Sequence, residues 1–334
     1  MDELETACAP KPEKPPYSRV GWSLFAILGI ATGLQLVIAL VVRAYAPEVM
    51  EASWFTWVLS FAPLYLVAIP LGYIIIKPLP KLTTPQQKLG VGRLVGFLAM
   101  SYAVMYIGNI VGTMLNAGIS TLKGEELLNP LQALLTGSNL YFELAFVGIL
   151  APIIEELVFR KMLLDRIRAY GEGTAILVSG LTFGLFHGNL FQFFYAFGLG
   201  SLFAYIYLRT GRLRYTIILH AVINSFSVIL SQLLLGNSNL ETLQNMSGEN
   251  PEELIEIIQS NLPQYLLVAL SSMAVVVLFV CGLILLIKKR KQVVLFTAPK
   301  ELPKEGRFKN VFVNWGMALF VLLSMGLMTY TVLA

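Results

Sequence analysis

The chain has 334 residues, of which 56% are hydrophobic and only 13% charged, with a formal net charge of +4. Its mean hydropathy is +0.71, whereas soluble domains carry about 25% charged residues, so the composition excludes an ordinary soluble domain and places the chain in a bilayer. The basic residues are parcelled out between apolar runs, which excludes a nucleic-acid-binding surface. The two cysteines, Cys8 and Cys281, are too few and too distant for a disulfide framework or a cysteine zinc site.

In chain order, residues 1–21 are polar and rich in Pro and Lys. They read as a cytoplasmic segment rather than a cleaved signal, because the first apolar run has full spanning length. Residues 22–334 then read as one integral-membrane domain of all-α class, a polytopic helix bundle. Nine stretches approach the length needed to cross a core of about 30 Å. They are 22–42, 54–76, 92–115, 139–158, 174–189, 190–208, 215–235, 263–287 and 311–333. Only Gly188-Asn189 separates the fifth from the sixth. Two outer loops carry helix-start signals: Asn129-Pro130, and Asn250-Pro251-Glu252-Glu253, which predicts a short surface helix to Ile258.

The charges orient the bundle. With the N-terminus in the cytoplasm, 22 of the 24 Lys and Arg residues fall in inner segments, and only Arg43 and Lys123 fall outside. This positive-inside bias predicts a multi-pass cell-membrane protein with a cytoplasmic N-terminus and an external C-terminus.

The fourth run ends in Glu155-Glu156-Leu-Val-Phe-Arg160. An ionised side chain at membrane depth costs roughly 2.5–3.5 kcal/mol on insertion scales and is usually kept for function. Helix neighbours point about 100° apart, so the two glutamates divide their roles. Glu156 and Arg160, four apart, share a face and form an ion pair, while Glu155 faces the bundle interior. The competing reading is a headgroup cluster with Lys161, Asp165, Arg166 and Arg168. The only two histidines lie in later apolar runs, in Phe183-Gly-Leu-Phe-His187 and His220-Ala-Val-Ile-Asn224. A lone membrane histidine is commonly a packing residue, and a His/Asn pair can simply join helices by hydrogen bonds. At 1.5 Å per residue, Glu155 lies about 7–10 Å and His220 about 8 Å from the cytoplasmic face. His187 comes out deeper, at about 21 Å if its helix enters at Gly173. A cytoplasmic extension of the fifth helix, a steep tilt or a deep aqueous cavity would each reconcile these depths.

The three blocks, in this order, resemble the CAAX-protease and bacteriocin-processing (CPBP, or Abi) family of intramembrane endopeptidases. The pattern is Glu-Glu-x-x-x-Arg, Phe-x-x-x-His and His-x-x-x-Asn, and the match covers about 140–230. The family core has eight helices, so the ninth, 311–333, reads as a C-terminal addition. The resemblance implies a CAAX prenyl protease type of endopeptidase acting near the cytoplasmic membrane face. Its catalytic set would be Glu155 as general base, His187 beside the water, His220 and Asn224 as oxyanion donors, and Glu156 with Arg160 as positioning pair. The implied partners are membrane lipid and a peptide or protein substrate, lipid-modified or membrane-associated, with no cofactor. Two other readings stay open: a zinc peptidase using His187, His220 and a glutamate, and a non-enzymatic bacteriocin-immunity or scaffold protein.

Overall fold

The computed structural model describes residues 15–135, 138–235, 255 and 259–333. Among these residues there is no strand, and the chain forms nine principal helical segments. We number them α1 (Tyr17–Tyr45), α2 (Ser53–Ile76), α3 (Val91–Lys123), α4 (140–170), α5 (Glu172–Phe186), α6 (Leu190–Thr210), α7 (Leu213–Leu235), α8 (Leu262–Lys289) and α9 (Trp315–Leu333). Seven of them are long and apolar enough to cross a membrane by length and composition. The exceptions are α4, which is broken by π-helical stretches, and α5, which has 15 residues. The helix expected at Asn250–Ile258 lies outside the described residues apart from Ile255, whereas the one after Asn129 is present as Pro130–Leu135.

Proline shapes two of the passes. Proline has no N–H to donate, and membrane helices tolerate it where local geometry and neighbours meet the freed carbonyls. In α2 a π-helical stretch begins at Pro63, and in α4 one runs from Leu144 to Leu150, just before Pro152. A second π stretch, Leu157–Leu164, follows Glu156 directly. π-Bulges concentrate at functional sites, and the two in α4 flank the glutamate pair.

Successive helices alternate in direction, and the basic connections gather at one end of the bundle. There the Leu82 N–H donates to the Asp165 carbonyl, the Gln87 N–H to Thr210, and the N–H groups of Lys300 and Leu302 to Ala169 and Tyr170. The segment after α8 is thus strapped across the α4–α5 turn. α9 runs alongside α1 in the same direction. A Cβ on Gly21 would stand 2.1 Å from the Met317 nitrogen, and one on Gly316 would stand 2.0 Å from the Ser18 carbonyl oxygen. Only glycines allow these backbones to touch, the small-residue contact of membrane helices. The ends of α1 and α9 that lead away from this contact therefore lie on the side opposite the basic loops.

The bundle is apolar on its outside as well as inside. Along α8, Leu266, Leu270, Met273, Val277, Ile284 and Ile287 are all exposed. A patch of this extent is foreign to the surface of a soluble monomer and matches a lipid-facing helix. The buried core joins α1, α4, α5 and α9 through Tyr17, Leu24, Ile27, Phe159, Phe183, Met317 and Phe320.

Candidate active site

Glu155, Glu156 and Arg160 come from α4, His187 from the end of α5, and His220 and Asn224 from α7. Gly171 turns the chain between α4 and α5. Glu155 is 16 residues before it and His187 is 16 after it, so the two sit at matching heights in the hairpin. The mismatch in depth expected from the sequence disappears, because the fourth apolar run ends at 158 whereas α4 continues to Tyr170. The Glu172 carboxylate closes that lower end. It pairs with Arg168 and Arg209 and accepts the Phe296 N–H. At the upper end α5 stops at His187. Gly188 takes φ +62°, a left-handed conformation that glycine adopts without strain, and Asn189 caps α6 by accepting the Gln192 N–H.

Glu156 and Arg160 are both fully buried. Arg160 Nε stands 2.9 Å from Glu156 Oε2, and its Nη2 donates to Oε1 at 3.1 Å. Its remaining arm, Nη1, donates to Ser179 Oγ at 2.9 Å, and its guanidinium lies over the Phe183 ring at 5.5 Å. A buried charge pair survives when its remaining hydrogen-bonding capacity is also met, and Ser179 of α5 supplies part of this. The pair is an internal strut between α4 and α5, not a headgroup anchor.

His220 lies between the two glutamates. Its Nδ1 is 3.2 Å from Glu156 Oε1, and its Nε2 is 3.7 Å from Glu155 Oε2. The 100° between helix neighbours therefore does not separate the glutamates into unrelated environments, because one imidazole spans the gap and meets each with a different nitrogen. A carboxylate only accepts hydrogen bonds, so Nδ1 carries a proton toward Glu156. Nε2 is then a lone pair in the neutral ring and a donor only in the doubly protonated ring. Of the two carboxylates, Glu155 keeps access to its surroundings, with 25% of its side chain exposed against 0% for Glu156.

His187 has the same kind of fixed tautomer. Its Nδ1 lies 2.8 Å from the Phe183 carbonyl oxygen. A carbonyl cannot donate, so Nδ1 holds the proton and Nε2 presents a lone pair. The Phe183 ring stands edge-on to both histidines, with centroids 4.9 Å from His187 and 5.9 Å from His220. Beside His187 a cavity of about 320 Å³ opens between α1, α2 and α9, lined by Leu28, Gln35, Leu64, Leu327 and Tyr330 among others.

Asn224 lies one turn beyond His220. Its Nδ2 donates to the Val147 carbonyl at 3.1 Å, and the neighbouring Ser225 Oγ donates to Gly148 at 3.2 Å. Pro152 is the reason. Gly148 would accept from residue 152 in an α-helix, but proline has no N–H. The Ala151 N–H is drawn back to Phe146, which strips Val147 of its donor too. Two side chains of α7 thus satisfy carbonyls released in α4, about two turns before Glu155, and the second Asn224 N–H is left for another acceptor.

The structure thus brings Glu155, Glu156, Arg160 and His220 into direct contact. His187 joins them through Phe183, and Asn224 through α7 and Val147. Ser179 and Ser225 escaped the sequence reading because a serine in an apolar helix carries no distinguishing pattern. Among the described residues, no three His, Cys, Asp or Glu side chains are grouped so as to hold a metal ion.

Comparison with known proteins picks out the same part of the chain. Residues 137–226, which contain every one of these side chains, match the Type II CAAX prenyl endopeptidase Rce1-like family. The chain is 26% identical over 193 residues to the putative membrane peptidase YdiL of Bacillus subtilis (strain 168), covering 55% of this chain and 74% of that one. It is 39% identical over 97 residues to the membrane-embedded CAAX protease MroQ of Staphylococcus aureus (strain USA300), covering 27% of this chain and 38% of that one. No solved structure gives a significant match. Over residues 137–226 the chain is therefore similar to the Rce1-like CAAX protease family, and both of these relatives carry the names of membrane peptidases.

Proposed function

We propose that the protein is a glutamate-dependent intramembrane endopeptidase of the CAAX type, with Glu155 as general base. The observation that carries this reading is the His220 imidazole set between a buried, ion-paired Glu156 and a more accessible Glu155. Only Glu155 has a carboxylate free of a charged partner on its own helix face, so it is the one able to take a proton from water.

Glu155 removes a proton from a water molecule as its oxygen attacks the carbonyl carbon of the scissile peptide. His187 Nε2, bare because Nδ1 is held by Phe183, accepts a hydrogen bond from the same water. Negative charge then develops on the carbonyl oxygen. The second N–H of Asn224 and the Nε2–H of doubly protonated His220 donate to it, preorganised by Val147 and Glu156. Collapse of the tetrahedral intermediate breaks the C–N bond, and Glu155 returns its proton to the leaving nitrogen, giving a carboxylic acid and an amine. Both Glu156 oxygens are engaged, which leaves Glu156 a positioning role with Arg160.

The reaction runs without a metal. The substrate is a membrane-associated peptide or protein, presented near the cytoplasmic face, and the lipid-modified CAAX tail is the class to try first. Two comparisons test the proposal. Membranes containing wild-type protein should lack full-length forms of one or more proteins that persist with Glu155→Gln. A chelator should leave wild-type cleavage of such a protein unchanged. Loss of activity on chelation, restored by zinc, would instead favour the metallopeptidase reading.

A further inference from the structure

The cavity beside His187 has walls that the mechanism does not use. α1 lines it with Leu28, Ala31 and Gln35, and α9 lines it with Leu327, Tyr330 and Thr331. Both sets keep the i, i+3, i+4 or i+7 spacing of a single helix face, so two facing helices frame the space. Leu64 of α2 and the His187–Gly188 turn complete it. α9 is fixed at both ends. At its start the Gly21 and Gly316 contacts seat it against α1. Near its other end Lys123 Nζ of α3 donates to the Val332 carbonyl at 2.6 Å, one of the last helix carbonyls left without an intrahelical partner. Between these anchors α9 crosses the α5–α6 turn, where a Cβ on Gly188 would stand 3.3 Å from Leu327 Cβ. Leu327 is thus the side chain of α9 that closes on the turn carrying His187.

We propose that this pocket receives an apolar side chain of the substrate peptide beside the scissile bond, and that Leu327 sets how bulky that side chain can be. The inference rests on the peptidase reading of the site. His187 is part of the pocket wall, and Phe183 and His220 link it to Glu155. The parts of a peptide that reach such a wall while its carbonyl is attacked are the side chains flanking that carbonyl. At about 320 Å³ the space is at the low end of small-ligand pockets, about 300–1,000 Å³, which suits a bulky side chain and not a folded segment. Leu28, Ala31, Leu64 and Leu327 make it apolar. Gln35 is held by its Nε2, which donates to the Ser60 carbonyl at 3.0 Å, and its amide oxygen is left to accept a peptide N–H. α1, α2 and α9 all lie outside residues 137–226, so the preference is set by helices beyond the matched region.

The test is steady-state kinetics of purified full-length protein in detergent on a reporter peptide that wild type cleaves, with the cleaved bond located by mass spectrometry. Reporters are compared in which the residue on either side of that bond is in turn Ala, Leu or Phe. The quantity read is the ratio of kcat/KM for Phe over Ala. In a hydrophobic pocket a single methylene is worth about 10–200-fold. Leu327→Ala enlarges the pocket and should raise the ratio at one flanking position by about tenfold or more. Leu327→Phe, and Ala31→Leu from the opposite wall, should lower it by a similar factor. Ratios equal to wild type in all three variants overturn the proposal. So does a uniform loss on every reporter that follows a fall in melting temperature, which makes Leu327 a packing residue only. A rate that changes with the acyl-chain length of added lipid while the ratio stays constant assigns the pocket to lipid and also overturns it. Glu155→Gln run alongside separates the two claims. An active Glu155→Gln removes the general-base reading and leaves the ratios to decide the pocket, whereas an inactive one beside unchanged ratios removes only this inference.

Discussion

Arg160→Ala removes one half of a charge pair in which neither side chain is exposed. Three contacts go with it: the 2.9 Å approach to Glu156 Oε2, the 3.1 Å hydrogen bond to Oε1 and the 2.9 Å hydrogen bond to Ser179. Glu156 is left buried with His220 as its remaining basic contact. Breaking a buried pair from one side costs about 3–5 kcal/mol, chiefly because the surviving charge is uncompensated, whereas replacing both partners by apolar groups can be near neutral. A double variant therefore has to be compared with the single one. In equilibrium unfolding by a denaturing detergent, Arg160→Ala should lose about 3 kcal/mol or more. Glu156→Leu with Arg160→Met should recover most of that loss and yet stay inactive, since His220 has lost the carboxylate that orients it. Arg160→Lys keeps a charge but not the fork geometry, and should fall between. A single variant within about 1 kcal/mol of wild type, the range of exposed ion pairs, would refute the view that this pair is an internal strut.

Other outcomes follow from the same geometry. Ser225→Ala leaves the Gly148 carbonyl without the hydroxyl that replaces the missing Pro152 donor, and should cost about 1–3 kcal/mol as a buried unsatisfied group, read by the same unfolding assay. Ser225→Thr should restore it. His187→Ala should lower kcat by about tenfold or more, the loss of roughly one hydrogen bond that orients the water, without a comparable change in KM, measured on a cleaved reporter. Single cysteines placed at Met1 and Ala334, in a background lacking Cys8 and Cys281, should be labelled by an impermeant reagent only at Ala334 in intact cells. Labelling of both or neither would contradict the positive-inside orientation.

The three motifs were legible because each is a helical i, i+4 or adjacent pair, and that periodicity survives in any helix. The spacing of Glu156 and Arg160 was enough to pair them. The spacing of Phe183 and His187 placed the ring beside the histidine, although not the backbone bond that fixes the tautomer. The charge bias was also legible, since loops rich in Lys and Arg do gather at one end of the bundle. What stayed hidden depends on contacts between helices. That His220 meets both glutamates requires the register of α7 against α4, and this register is set by Asn224 and Ser225 meeting carbonyls released near Pro152. No local pattern announces such a contact. The depth of His187 could not be fixed because hydropathy does not show that α4 continues past 158 to Tyr170. The count of 16 residues on either side of Gly171 becomes meaningful only once that hairpin is seen.

The account turns on one carboxylate. The most direct test is the cleavage rate of purified, correctly folded Glu155→Gln against wild type on the same reporter. The amide keeps the size of the side chain and cannot take a proton from water at neutral pH. The account predicts a rate lower by about 1,000-fold or more, within the effect expected for losing the base that generates the nucleophile, with the melting temperature close to wild type. A Glu155→Gln protein that cleaves at a rate near wild type would contradict it.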